Sequence, residues 1–277
     1  MKINSTDLRI EGSKDIFLSL EKAFTKFDID FYLIGALARD VMFLSKDHKP
    51  IRATQDIDFA VMIPDNNVYE ALKKYLEVNE NFKPDQREPY RMTAGSVIID
   101  LLPFGKIESK ERTVIVHGKE ITELNVLGLS EIYYSAYTVS IDDDSVFKVA
   151  TLPGICILKL ISYTDRPDDR AKDIEDITFI LDNYHNMNVD YIIAEHSELM
   201  EYGWDEKLSA KVLGRDIGLI LKDNIELRDK IISILKNNIV EHRTGKIAEL
   251  MTVKSERTIE DSIELLNKVL EGINERI

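Results

Sequence analysis

The spacing of apolar positions changes along the chain, and each change marks an element. In residues 13–27, Phe17, Leu20, Phe24 and Phe27 recur at three- and four-residue intervals, which predicts an amphipathic helix. Phe31-Tyr32-Leu33-Ile34 is a continuous apolar run stopped by Gly35, which reads as a buried strand, and Ala36–Leu44 returns to a helical pattern. Lys46–Thr54 holds a proline and the groups Lys46, His48, Lys49 and Arg52, so a loop is expected. Gln55–Ile63 alternates and is stopped by Pro64, the pattern of a strand. Asn66 or Asn67 is expected to cap a helix over Val68–Val78. Short β-type runs follow at Tyr90–Thr93, Ser96–Leu102, Arg112–His117 and Glu120–Leu124. Ala94-Gly95 is the expected turn of a hairpin between the first two, and Asp142-Asp143-Asp144 reads as a solvated turn.

The pattern turns almost wholly helical after residue 150. Thr151-Leu152-Pro153 reads as a helix start, with Thr151 as N-cap and proline in the first turn. Helices are expected over 152–163, 170–184, 188–200, 205–221, 225–238 and 258–272. The class is therefore α+β: residues 1–150 form a mixed α/β domain and residues 151–277 a helical one.

Composition narrows the class further. Apolar residues make up 44% and charged residues 31% of the 277 positions, which permits a sizeable core and argues against intrinsic disorder. A net charge of −14 argues against a broadly basic nucleic-acid binder or a protein that sits on an anionic membrane; a nucleic-acid substrate would need a local basic patch. Cys156 is the single cysteine, so no internal disulfide or Cys-based zinc site can form. Met1–Arg9 is polar, without a signal-peptide run, and the most apolar piece, Ile155–Ile161, is interrupted by Lys159. These features lead us to expect a soluble cytoplasmic protein with no membrane partner.

The candidate chemistry begins at Asp56-Ile57-Asp58-Phe59. On a strand, Asp56 and Asp58 share one face while Ile57 and Phe59 pack behind. Two carboxylates on one edge repel, and a hard divalent cation relieves that repulsion. The same spacing also suits a solvated strand face, and Asp173-Ile174-Glu175 repeats it elsewhere. Context separates the two readings. A strand, Gly35 and a short helix precede the pair, and a small residue at such a turn lets backbone N–H groups approach a phosphate. Asp100 lies within the apolar run Val97–Leu102, where an acid is costly without compensation. If that strand lies beside Gln55–Ile63, Asp100 faces the same site; otherwise it is a strand-end acid facing water.

Gly35-Ala36 before a short helix, then Asp56-Ile57-Asp58, then Asp100, resembles the DNA polymerase β nucleotidyltransferase superfamily. The segments FYLIGALARDVMF, RATQDIDFAV and LKLISYTDRPDDRAKDIEDITFIL resemble the AbiEii-type nucleotidyltransferases, which include abortive-infection toxins. The resemblance implies an N-terminal nucleotidyltransferase domain and a C-terminal helical domain that closes a nucleotide cleft. It implies transfer of a nucleoside monophosphate from a nucleoside triphosphate, ATP or another, to an acceptor hydroxyl, with pyrophosphate leaving. By position, Asp56, Asp58 and Asp100 would ligand Mg²⁺ or Mn²⁺, with Asp100 also a base for the acceptor. Gly35 and Ala36 would contact the triphosphate, although the second position is often Ser or Gly in the family, and Ala36 offers only its N–H. Lys159 would meet triphosphate charge, Asp173 would position the acceptor or a basic residue, and Asp176 is the next candidate. Arg39 and Asp40 match a feature of nucleic-acid-directed relatives, or form a structural ion pair. The implied partners are a tRNA or other RNA acceptor and a cognate antitoxin. An aminoglycoside-like or protein hydroxyl is the competing acceptor class, and a non-catalytic nucleotide-binding module is a third reading.

The remaining candidates have plainer readings. Lys159 is a lysine on a mostly apolar helix and must reach an anion or snorkel. Arg166, Arg170 and Lys172, among Asp165, Asp168, Asp169, Asp173 and Asp176, fit surface ion pairs, with Lys172 and Asp176 at i,i+4. His48, His117, His185, His196 and His242 show no helical metal pair and read as non-catalytic. Tyr133, Tyr134 and Tyr137 read as packing residues under the helical domain, with base stacking as the alternative. The basic loop Lys46–Arg52 reads as solvated or as a grip on RNA.

Overall fold

The computed structural model describes residues 2–49, 54, 56–119, 121–142, 145–239 and 246–277. Pro50–Ala53 and Gln55, Glu120, Asp143 and Asp144, and His242 lie outside the described residues, so the expectations for them stay untested. The chain divides into two compact units, Met1–Thr151 and Leu152–Ile277. Among the described residues no helix is long and apolar enough to cross a membrane.

The first unit is built on an eight-stranded mixed sheet. Its elements in chain order are β1 (Lys2–Ile3), α1 (Ser13–Lys26), β2 (Phe31–Ile34), α2 (Gly35–Leu44), β3 (Asp56–Met62), α3 (Asn66–Asn79), β4 (Lys83–Pro84), β5 (Arg91–Ala94) and β6 (Val97–Phe104). There follow β7 (Thr113–His117), β8 (Ile121–Asn125), α4 (Leu129–Ser135), β9 (Tyr137–Ile141) and β10 (Ser145–Val149). The sheet order is β1-β9-β10-β2-β3-β6-β5-β4, and β7 and β8 pair as a separate hairpin. Both outer strands, β1 and β4, are only two residues long.

The α1 stripe does what its spacing predicts. Phe17, Leu20 and Phe24 are buried. The Phe17 ring meets Phe59 edge-on at 6.1 Å and stacks on Phe147 at 5.1 Å, and Phe24 packs on Phe31 at 4.3 Å. The opposite sheet face is covered by α4. Tyr133 packs on Tyr32 at 5.8 Å and on Phe104 at 6.1 Å, and the Tyr32 hydroxyl donates to the Leu129 carbonyl at 2.7 Å. Tyr133 thus packs within its own unit, whereas Tyr134 and Tyr137 are exposed at 78% and 54%, which corrects the expectation that all three pack.

Two boundaries differ for local reasons. Helix α3 starts at Asn66 because Asp65, not an asparagine, is the cap: its Oδ1 accepts the Asn67 and Val68 amides at 2.8 and 3.1 Å. Strand β6 runs through Pro103. Leu101 donates its amide to the Tyr90 carbonyl, so the proline nitrogen two residues on faces the same side, where β5 has no residue left to pair.

The second unit is helical: α5 (Leu152–Asp165), α6 (Ala171–Met187), α7 (Val189–Glu195), α8 (Glu206–Leu221), α9 (Ile225–Ile239), α10 (Lys246–Thr252) and α11 (Ile259–Asn274). The expected helix over 188–200 is broken at His196, whose φ of −140° and ψ of 23° leave the helical region, and it resumes as a 3₁₀ turn over Ser197–Tyr202. Helices α8 and α11 approach closely, and Gly214 makes the crossing fit: a Cβ there would fall 2.9 Å from the Val269 carbonyl carbon and nearer still to its oxygen. Ion pairs flank that seam, Arg215 with Glu275 at 2.6 Å and Lys207 with Glu264 at 2.7 Å. Gly214→Ala is expected to destabilise the protein by about 1–3 kcal/mol through overpacking against backbone that cannot yield, a loss that a urea unfolding midpoint would register.

Candidate active site

The site in the first unit is set by strand register. Antiparallel β2 and β3 pair Ile34 with Asp58, parallel β3 and β6 pair Asp58 with Asp100, and antiparallel β6 and β5 pair Asp100 with Arg91. One row across four strands therefore reads Ile34, Asp58, Asp100, Arg91. Asp56 lies two residues before Asp58 and shares its face. The three acids expected to gather are brought to one sheet face at the backbone level, Asp58 and Asp100 as direct neighbours.

Gly35 closes β2 and opens α2 in a single step. Its φ is +72°, a conformation that L side chains resist, and a Cβ on it would sit 2.9 Å from the Asp58 carboxyl carbon and inside the carboxylate's own contact distance. The turn thus brings the backbone at the start of α2 against Asp58. Helix α2 has no side-chain cap, so its first N–H groups, from Gly35 and Ala36 onward, rely on other partners. Arg39 is completely buried and donates through Nε to Asp40 at 2.8 Å. A phosphate contact from Arg39 would require breaking that pair; the structural alternative describes what its guanidinium does here. Gly35→Ala is expected to destabilise the protein by about 1–3 kcal/mol and to displace Asp58, since positive φ and a steric clash act together. A lowered melting temperature with altered triphosphate binding would check it.

Arg91 was not among the residues the sequence singled out. Its Nε donates to Asp100 Oδ1 at 2.7 Å and its Nη2 to Oδ2 at 2.8 Å, a fork that engages both oxygens. Hydrogen bonding to Asp100 raises the Arg91 pKa further above its ordinary value, against the opposing effect of burial. The Asp100 side chain is 11% exposed and Arg91 31%, so the pair lies at the margin of the interior. Asp100 is compensated as a buried acid must be, by a guanidinium across the hairpin.

A divalent cation is tested against this donor set. Hard carboxylate oxygens from Asp56, Asp58 and Asp100 on one face suit Mg²⁺ or Mn²⁺. The glycine cradle leaves Asp58 open to backbone on one side. Among the described residues no three Asp, Glu, His or Cys side chains converge closely enough to enclose a metal, and Asp100 turns both oxygens to Arg91. The residues fit the ion in type and share one sheet face, but Asp100 is held by an internal cation and would have to turn from Arg91 to complete the set.

In the second unit, Lys159 on α5 donates to Asp173 Oδ1 at 2.7 Å and pairs with Asp176 Oδ2 at 2.8 Å. Asp173 and Asp176 are i,i+3 on α6 and so share the face that meets the lysine. All three are buried, which answers why a lysine sits in an apolar helix. Asp176 pairs with this lysine, from the neighbouring helix. Asp173 Oδ2 is buried without a hydrogen-bond partner. Burial works against the Lys159 ammonium, but the fields of Asp173 and Asp176 outweigh it and raise its pKa. Cys156, one turn away, is buried, and burial pushes its thiol up to about 12, so it is chemically inert. His185 bonds Ser209 at 2.6 Å and His196 bonds Arg215 at 2.9 Å, in keeping with structural roles.

Replacing Lys159 with methionine removes the cation that two buried carboxylates share and is expected to cost about 3–5 kcal/mol. A raised folded-state pKa means that the lysine's contribution is complete below its ordinary value of 10.5 and is lost as pH rises through the folded-state value. The stability gap between wild type and Lys159→Met should therefore narrow above pH 10.5, as read from urea midpoints across pH.

This row of acids beside a glycine turn is the arrangement expected from the resemblance to nucleotidyltransferases. The family described as "Nucleotidyl transferase AbiEii toxin, Type IV TA system" matches residues 19–241, and the chain belongs to that family; it is a nucleotidyltransferase. No curated protein matches the chain. Among solved structures, an antigenic nucleotidyltransferase-like protein from Paracoccidioides brasiliensis is 14% identical with a TM-score of 0.41, over 92% of this chain and 96% of that one. The antibiotic-resistance factor ANT(2'')-Ia is 12% identical, TM-score 0.35, over 77% of this chain and 98% of that one. A CCA-adding enzyme in complex with CTP is 14% identical, TM-score 0.32, over 96% of this chain and 71% of that one.

Proposed function

We propose that the protein is a Mg²⁺-dependent nucleotidyltransferase and the toxin of a toxin–antitoxin pair, moving a nucleoside monophosphate from a nucleoside triphosphate such as ATP to a hydroxyl at an RNA end, with tRNA the first acceptor to test. The observation that carries the reading is the in-register pair Asp58 and Asp100 beside the Gly35 turn. The description of its family supports the toxin assignment.

In this reading the N–H groups of Gly35 and Ala36 receive phosphate oxygens at the start of α2, where the helix dipole favours negative charge. Asp56, Asp58 and Asp100 would hold a divalent cation, which when bound would supply positive charge to the phosphoryl oxygens. Asp100 takes the proton of the acceptor hydroxyl. The bond from that oxygen to the α-phosphorus forms as the bond to the β-phosphate bridge breaks, and pyrophosphate leaves with the electron pair. Lys159 keeps Asp173 and Asp176 in place. Two of the three N–H donors of its ammonium are engaged by those carboxylates.

A second reading takes a small cationic acceptor, which the net charge of −14 favours over a polyanion. The experiment is incubation with each α-labelled triphosphate and Mg²⁺ against total RNA, total protein and an aminoglycoside panel. Label is expected in RNA, with a loss of at least about 10²-fold in Asp58→Asn. Label in the aminoglycosides alone would favour the second reading, and transfer undiminished in Asp58→Asn would overturn the site.

A further inference from the structure

Asp100 lies between an anion and a cation. On one side in the row is Asp58, on the other Arg91, and the guanidinium fork engages both of its oxygens. A carboxylate so held is neutralised and fixed in orientation. A divalent ion that also took Asp100 would face the guanidinium across a single carboxylate. At such a separation two positive charges repel, even at a half-exposed site. The two cations therefore compete for one ligand.

Arg91 has room to yield. It stands on β5, near the margin of the sheet, where among the described residues the two-residue β4 is the one further strand. Its side chain is 31% exposed, and its guanidinium carbon already lies 5.9 Å from the centre of the Tyr90 ring. An arginine released from Asp100 can rest on that ring face in partial contact with water. Arg39, by contrast, is wholly buried and has no comparable exit.

We infer that Arg91 is a built-in counter-ion for the third carboxylate: it holds Asp100 before the metal arrives and gives it up on loading, so that Arg91 sets the affinity of the acid site for divalent metal. This inference rests on the acid-site reading proposed above. Arg91 is a positioning residue, acting through Asp100.

The test is Mn²⁺ binding to the full chain, followed by electron paramagnetic resonance of free Mn²⁺, in wild type, Arg91→Gln, Arg91→Lys and Asp58→Asn. Near-ultraviolet circular dichroism confirms that each variant is folded, and Arg91→Lys carries the comparison should Arg91→Gln fail to fold. Removing the competing charge should tighten Mn²⁺ binding by about tenfold or more in Arg91→Gln, with Arg91→Lys between it and wild type. Equal or weaker binding in the folded Arg91 variants, with Asp58→Asn abolishing the wild-type signal, overturns the role of Arg91 and leaves the acid site standing. Binding that survives Asp58→Asn, or no binding in any variant, overturns the acid site and the inference together.

Discussion

The first unit depends on the register of four strands. Side chains alternate between sheet faces with a period of two, so a slip of one residue in β3 or β6 would send Asp58 or Asp100 to the face packed by Phe17 and Phe24. That register is not fixed by the acids, whose mutual repulsion works against it. It is fixed by what lies behind them: Phe59 within an aromatic cluster, Ile57 and Leu101 fully buried, and the Tyr69 hydroxyl donating to the Leu101 carbonyl at 2.7 Å. The hydrophobic face holds the charged face in place.

The second unit places charge differently. Its buried Lys159 meets two carboxylates from one helix face, leaving the trio with a formal excess of one negative charge. Such a network ties α5 to α6 with directional bonds where apolar contact alone would allow sliding. At the α8–α11 crossing the opposite device operates: absence of a side chain at Gly214 lets backbones approach, and exposed ion pairs line the border. Close packing and polar pinning thus divide the work between two helix pairs.

Much of this was legible in the sequence because the signals were local. The α1 stripe, the β2 run ending in glycine, and the Asp56–Asp58 alternation each report their own element, and the AbiEii resemblance joined them to Asp100. What local signals could not supply was pairing. With a turn at Ala94-Gly95, Thr93 would face Ser96 and Asp100 would face Pro89. The observed turn is Gly95-Ser96, with Gly95 at φ +61°, so Ala94 faces Val97 and Asp100 faces Arg91. One residue of turn placement hid the partner of the third acid. Strands β9 and β10 were missed for another reason. Val139, Ile141, Phe147 and Val149 alternate as strands do, but the run of three aspartates in the sequence between them reads as a solvated turn and dominates the local signal. The capping of α3 by Asp65 shows the same limit, since Asp65, Asn66 and Asn67 are all good caps and only geometry chooses.

The eight-stranded sheet ends on both sides in strands of two residues, β1 beside β9 and β4 beside β5. Such a stub offers a passing chain almost no ladder to extend. On the β4 side the stub is Lys83-Pro84, both exposed, where proline lacks a donor and lysine carries charge. A sheet this wide would otherwise be a template for sticking to its own copies, above all while the chain is newly made and crowded. Its flanks are blunt enough that the sheet can fold in company without recruiting neighbours.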